Sequence, residues 1–114
     1  MTNPEEHIDV EALQDLKEIM ESEFETLINT FIQDSQHKIA QLEEVIGNGD
    51  AESMRKLAHS LKGSSSNICA LSLSEFAKEI ELLGKEGVIE GARSWLEKFK
   101  TEFNTVQKIL NDYI

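Results

Sequence analysis

Apolar residues recur every three and four positions along nearly the whole chain, and that period commits it to amphipathic helices. The longest series runs through Phe24, Leu27, Ile28, Phe31, Ile32, Ser35, Ile39, Leu42, Val45 and Ile46, and Gly47-Asn48-Gly49 ends it. Met54, Leu57, Ala58, Leu61, Ser65 and Ile68 form the next stripe, with a small break near Ala70. A further helix carries Phe76, Ala77, Ile80 and Leu83 and is stopped by Gly84-Lys85-Glu86-Gly87. The last, through Ala92, Leu96, Phe99, Phe103, Val106 and Leu110, reaches nearly to the C-terminus. Val10, Leu13 and Leu16 mark a short helix before all of these.

Start signals agree with the stripes. Asp9 and Asp50 are placed to cap the first and third helices, and Ser22 with Glu25 and Ser72 with Glu75 have the spacing of capping boxes for the second and fourth. Nothing reads as a strand. Long amphipathic helices on short connections must lie antiparallel to their neighbours to bury their stripes. The expected fold is therefore all-α: an antiparallel up-down-up-down four-helix bundle with a short extra N-terminal helix. At 114 residues it forms one domain, 1–114, with residues 1–8 a mobile tail.

The formal charge of -11 repels nucleic-acid phosphates and anionic lipid, so neither nucleic acid nor a membrane is an expected partner, and it favours a monomer. No run approaches the roughly 18 apolar residues of a membrane span, and Met-Thr-Asn-Pro-Glu-Glu lacks the features of a secretory signal. A cytoplasmic protein is expected. Cys69, the single cysteine, can neither form an internal disulfide nor anchor a cysteine-based metal site, and it reads as a small packing residue.

Charge is unevenly placed. Residues 1–52 hold 14 acids and two lysines, whereas residues 53–74 hold Arg55, Lys56 and Lys62 and no acid. At the centre of that window lies His59. With Leu61 taken as the middle of the buried face, His59 falls about 160° away at 100° per residue. It therefore faces solvent, in a stripe shared with Arg55, Lys56, Lys62, Gly63 and Ser66. Helical side chains lean toward the N-terminus, so the residue four positions on would ordinarily cover the imidazole. That residue is Gly63. A glycine inside a helix costs about 0.8–1 kcal/mol relative to alanine, so its presence beside an exposed histidine points to clearance. Lys62-Gly63-Ser64-Ser65-Ser66-Asn67 resembles a flexible loop in composition, but the apolar period continues through it. A phosphate-binding P-loop is excluded, because here the lysine precedes the glycine and a helix leads in. Ser64 and Ser65 are small enough to let the third and fourth helices approach closely.

An unprotonated imidazole nitrogen is a nucleophile that can accept a phosphoryl group. Lys62 can pair with the dianion so formed, and Arg55 and Lys56 add a weaker field. General-base chemistry would want an orienting carboxylate, and the acid-free window offers none. A metal would want a second ligand four residues on, which is Gly63. Of the other histidines, His7 in the acidic tail and His37 among Gln36, Lys38 and Gln41 read as solvated surface groups. Trp95 and Phe99 read as core or core edge.

The run Ala58-His59-Ser60-Leu61-Lys62-Gly63-Ser64-Ser65, preceded by Phe31-Ile32-Gln33-Asp34 and Gly49-Asp50 and followed by Leu73 through Leu83, resembles the histidine phosphotransfer (HPt) domains of bacterial multistep phosphorelays. The resemblance covers about residues 9–114. Many members carry a further glycine about ten residues beyond the histidine; here that place is Cys69, followed by Ala70. The resemblance implies that His59 is phosphorylated at Nε2, that Lys62 is the phosphate-side cation, and that Gly63 leaves space for an incoming receiver domain. It implies reversible exchange with an aspartate of a response regulator, supplied through a sensor or hybrid histidine kinase. The divalent metal would belong to the receiver and the chain itself would need no cofactor. With no nucleotide loop, it would be a carrier and not a kinase. The starting Met1 and absence of a linker suggest a free-standing protein. Two other readings stay open at this stage: a non-transferring adaptor that binds a receiver or helix through the same face, and an unrelated bundle for metal or ligand storage, for which facing Glu and His pairs would be expected in the core.

Overall fold

Asp9 and Asp50 open their helices as their positions suggested. In the structure, a computed structural model that describes residues 3–114, the Asp9 carboxylate accepts from the Ala12 N–H at 3.1 Å and starts α1 (Val10–Met20). Asp50 accepts from the Ser53 N–H at 3.0 Å and starts α3 (Ala51–Asn67). Each satisfies an N–H that the helix itself leaves unpaired and sets negative charge at the positive end of the dipole.

The two serine capping boxes do not form. A capping side chain needs its own residue in extended conformation, and Ser22 lies inside a 3-10 turn, Glu21–Glu23, that runs directly into α2 (Phe24–Gly47). The fourth helix, α4 (Leu71–Lys85), begins two residues earlier than the box required, on Ala70. Ser72 is thus already helical, and its hydroxyl donates to the carbonyl of His7 at 3.2 Å and to Glu102. The early start follows from how α3 ends. Cys69 adopts φ +66°, its N–H reaches the Ser66 carbonyl at 3.0 Å, and the Ala70 N–H reaches the Ser65 carbonyl at 2.9 Å. Those paired bonds around a left-handed residue are a Schellman closure, which favours glycine because a Cβ is strained there. Cysteine takes the glycine conformation at this position.

α5 (Ala92–Asn111) completes the set, and no strand is found among the described residues. α3 packs most extensively on α4, α4 on α5, and α2 on both α3 and α5, which closes an antiparallel four-helix bundle; α1 lies against α2. α2 is ~36 Å long at 1.5 Å per residue, most of the 42 Å long axis. Phe24, Ile28 and Leu42 from α2, Met54 and Leu61 from α3, Leu73 and Ile80 from α4, and Leu96, Phe99 and Phe103 from α5 are buried between the helices. Each such side chain contributes roughly 1.5–3 kcal/mol on leaving water.

Several expectations are replaced here. Residues 3–8 lie folded against the bundle where a tail was expected; residues 1 and 2 lie outside the described residues. Asn3 caps a 3-10 turn at Pro4–Glu6, Ile8 is 1% exposed, and the Asp9 N–H donates to the Cys69 carbonyl at 2.9 Å. His7 is not a solvated surface group either, since its Nδ1 lies 2.5 Å from Glu102 Oε2 on α5. Burial of Ile8 and these bonds work against the entropy of ordering the segment, roughly 1–2 kcal/mol per residue. Gly84 does not stop α4 but lies buried inside its last turn, against the backbone of Arg55 on α3. It, not Ser64, is the small residue that lets α3 and α4 touch; Ser64 faces α2, while Ser65 is fully buried with no partner for its hydroxyl.

Candidate functional site

The outward stripe of α3 is where the sequence placed it. His59 projects from its middle with the side chain 65% exposed. A Cβ built on Gly63, one turn on, would meet nothing within 4 Å, so the ring is open from that side. The helix is continuous from Ala51 to Asn67, and the serine-rich run therefore holds Gly63 in register with His59.

The chief addition comes from α4. Glu81 Oε2 lies 2.7 Å from His59 Nδ1, and Glu81 Oε1 lies 2.7 Å from Lys62 Nζ. The acid-free window of α3 is thus supplied with a carboxylate from the neighbouring helix, which corrects the inference that His59 has none. Glu81 is 3% exposed. A charge so placed is tolerated because both oxygens are engaged, one by an ammonium and one by an imidazole. Burial alone would push the Glu81 carboxyl up; hydrogen bonds from Lys62 and His59 outweigh it and hold the group below the usual carboxylate range.

A signal for this residue was present in the sequence. Leu73, Ala77, Glu81 and the buried Gly84 fall on one face of α4, and a lone acid on a buried stripe requires a partner. Which partner it meets depends on how α4 docks on α3. That docking is close at Gly84 and Arg55, each one turn from the Glu81 and His59 pair.

The remaining predicted groups are distributed unequally. Lys62 is 33% exposed and bound to Glu81, not directed into solvent. Arg55 is engaged by Glu52 on its own helix, and Lys56 is exposed. Ser66 is exposed, and its hydroxyl is 2.7 Å from that of Ser74 on α4. A cation not singled out in the sequence, Lys38 of α2, donates to Asp34 at 2.7 Å and to Ser60, the neighbour of His59, at 2.6 Å. Next to it an apolar groove of about 210 Å³ runs between α2 and α3, bordered by Leu27, Phe31, Asp34, Ser64 and Ile68. His37 is exposed, and burial followed by the charge of Asp9 pushes the Cys69 thiol up, away from reactivity.

The geometry assigns the ring nitrogens. A carboxylate only accepts, so Nδ1 carries the proton that points to Glu81, and the neutral ring presents the Nε2 lone pair to solvent. The site is an oriented imidazole with one nitrogen free to attack an electrophile and a cation one turn away.

Comparison with known proteins agrees in extent with the bundle. Residues 26–109 match the family model described as the Hpt domain. The crystal structure of histidine-containing phosphotransfer protein B (HptB) from Pseudomonas aeruginosa PAO1 is similar over 94% of this chain and 93% of that chain, at a TM-score of 0.91 and 34% sequence identity. Comparison with curated protein sequences gives no significant match.

Proposed function

The chain belongs to the Hpt domain family, and from that membership and the His59 geometry we propose that it is a phosphorelay carrier that takes a phosphoryl group onto His59 Nε2 and exchanges it with the aspartate of a response-regulator receiver domain. The observation that carries the reading is the His59–Glu81 bond: it fixes the ring through Nδ1 and leaves Nε2 uncovered above Gly63.

In the transfer, the Nε2 lone pair forms a bond to phosphorus as the bond from phosphorus to the aspartyl oxygen breaks, and its electron pair leaves with the carboxylate. Positive charge develops on the ring, next to Glu81, while the phosphoryl oxygens arrive beside Lys62. Such a step is mainly positioning and charge neutralisation, with the divalent metal belonging to the receiver. Gly63 removes the side chain that would block in-line approach, and the apolar groove between α2 and α3 offers contact area beside it. Lys56 and Arg55 contribute field to an acidic receiver pocket, and Ser66 lies at the margin of the same face. The phosphoryl group originates in a sensor or hybrid histidine kinase, and this chain does not phosphorylate itself from ATP.

The test is incubation with a receiver domain loaded by acetyl phosphate, followed by intact mass at neutral pH. One added phosphate is expected on the wild type and on His7→Gln and His37→Gln, and none on His59→Gln, which keeps its helical circular dichroism. ATP alone should add nothing. Receiver binding without any phosphate uptake would replace the carrier by an adaptor, and uptake by His59→Gln would overturn the site.

A further inference from the structure

Glu81 is the one fully buried carboxylate at this site, and it has two partners with different fates. Before transfer, Lys62 and the Nδ1–H of His59 share it. After transfer the ring bears phosphorus on Nε2 and keeps its proton on Nδ1, so it is cationic, and a phosphoryl dianion has appeared on the open side. Lys62, a third exposed on a flexible stem, can reach toward that dianion from its place on Glu81 Oε1; Glu81, held in the α3–α4 interface, cannot leave the ring. The imidazolium then faces the charge that Lys62 leaves on the carboxylate.

From this arrangement, and resting on the carrier reading, we infer that Glu81 is a positioning residue whose charge, acting through the His59 ring, sets how long the phosphohistidine lives. A phosphoimidazolium that retains its Nδ1 proton is a good leaving group: when the P–N bond breaks, the electron pair returns to Nε2 and the ring becomes neutral. A neighbouring carboxylate keeps that proton on Nδ1, and so keeps the phosphoryl group transferable to aspartate and to water. An uncharged acceptor of the same shape holds the ring in place but supports the cation less. The same charge favours the forward attack, in which the ring also becomes positive. Lys62 opposes Glu81, because an ammonium on Oε1 withdraws charge from the carboxylate.

The inference predicts opposite signs for the two partners. Glu81→Gln preserves an oxygen acceptor for Nδ1–H and removes the charge. Hydrogen bonds to charged groups exceed neutral ones by enough that the phosphohistidine lifetime should lengthen about tenfold. Lys62→Met leaves Glu81 undivided on the ring and should shorten it. Both variants and the wild type would be loaded with phosphoramidate, a P–N donor that needs no receiver, and decay in neutral buffer would be followed on the tryptic peptide containing His59. In the wild type that peptide is Leu57–Lys62, and in Lys62→Met it extends to Lys78; His59 is the only histidine in either.

A longer lifetime in Glu81→Gln that persists in the Glu81→Gln, Lys62→Met double variant supports the inference. An unchanged or shorter lifetime in Glu81→Gln overturns it, as does an extension that vanishes in the double variant, because Glu81 would then act only by occupying Lys62. Lengthening in Lys62→Met also overturns it and needs no glutamate variant to fold. Nitrogen NMR of the free ring separates these outcomes from simple misplacement: the Nδ1–H tautomer should be kept in Glu81→Gln, and its loss would make the role merely structural. Failure of a loaded receiver to phosphorylate the wild type would remove the carrier reading itself, a result distinct from any change in lifetime.

Discussion

Alanine at Gly63 and alanine at Gly84 should move stability in opposite directions, although both glycines sit inside helices flanking the same site. At Gly63 a new Cβ meets nothing within 4 Å, so only the backbone preference changes and a gain of roughly 0.5–1 kcal/mol is expected. At Gly84 the Cβ would lie 2.7 Å from Arg55 Cβ, 2.8 Å from its Cα and 2.9 Å from its N. These atoms belong to the α3 backbone or sit directly on it, and they cannot swing aside as the tip of a side chain does. α3 and α4 must separate. Overpacking of this kind costs about 1–3 kcal/mol, and the preference of a helix for alanine returns at most about 1. With the full return the net loss is still up to about 2 kcal/mol, or up to roughly 10 °C in Tm. Separation also acts on the site, because Arg55 is one turn before His59 and Gly84 is nearly one turn after Glu81, so the 2.7 Å bond between them should lengthen. Thermal unfolding and initial transfer rates from a phosphorylated receiver would be measured for both variants. A Gly84→Ala protein melting at or above the wild type would refute the packing argument. One that melts lower yet transfers at the full rate would refute the link from helix spacing to the His59–Glu81 pair.

Gly63→Gln should fold as stably as the wild type but transfer slowly, since the side chain would lie over His59; unchanged transfer kinetics would remove the clearance role from Gly63. Cys69→Gly should raise stability by about 0.5–1 kcal/mol in urea unfolding, because relief of the left-handed strain at φ +66° exceeds the packing lost from a half-buried thiol, and a lower midpoint would show the reverse. Glu81 has a lowered carboxyl, so its contribution to stability is present above the ordinary carboxylate range and is lost as pH falls through the lowered value. Urea unfolding between pH 7 and pH 3 should therefore show a larger acid-induced loss in the wild type than in Glu81→Gln, and parallel pH curves would refute the assignment.

The number of helices and the bundle were legible in the sequence because a period of three and four is a local property of the chain, and so were the outward face of His59 and the open space at Gly63. Local signals failed where two segments compete for the same group. Ser72 has capping-box spacing, yet its hydroxyl is used by His7 and Glu102, residues distant in the chain. The tail composition of residues 3–8 gives no sign that Ile8 will be covered by the bundle. Glu81 is separated from His59 by 22 positions, and nothing in the spacing of α3 announces it. Its place is decided by the close approach of α4 at Gly84, a contact between backbones with no period of its own. The exposed His59 was thus written in the helix that carries it, whereas the carboxylate bonded to it came only with the packing of the next helix, because charge neutralisation across an interface depends on distance in space and not on distance along the chain.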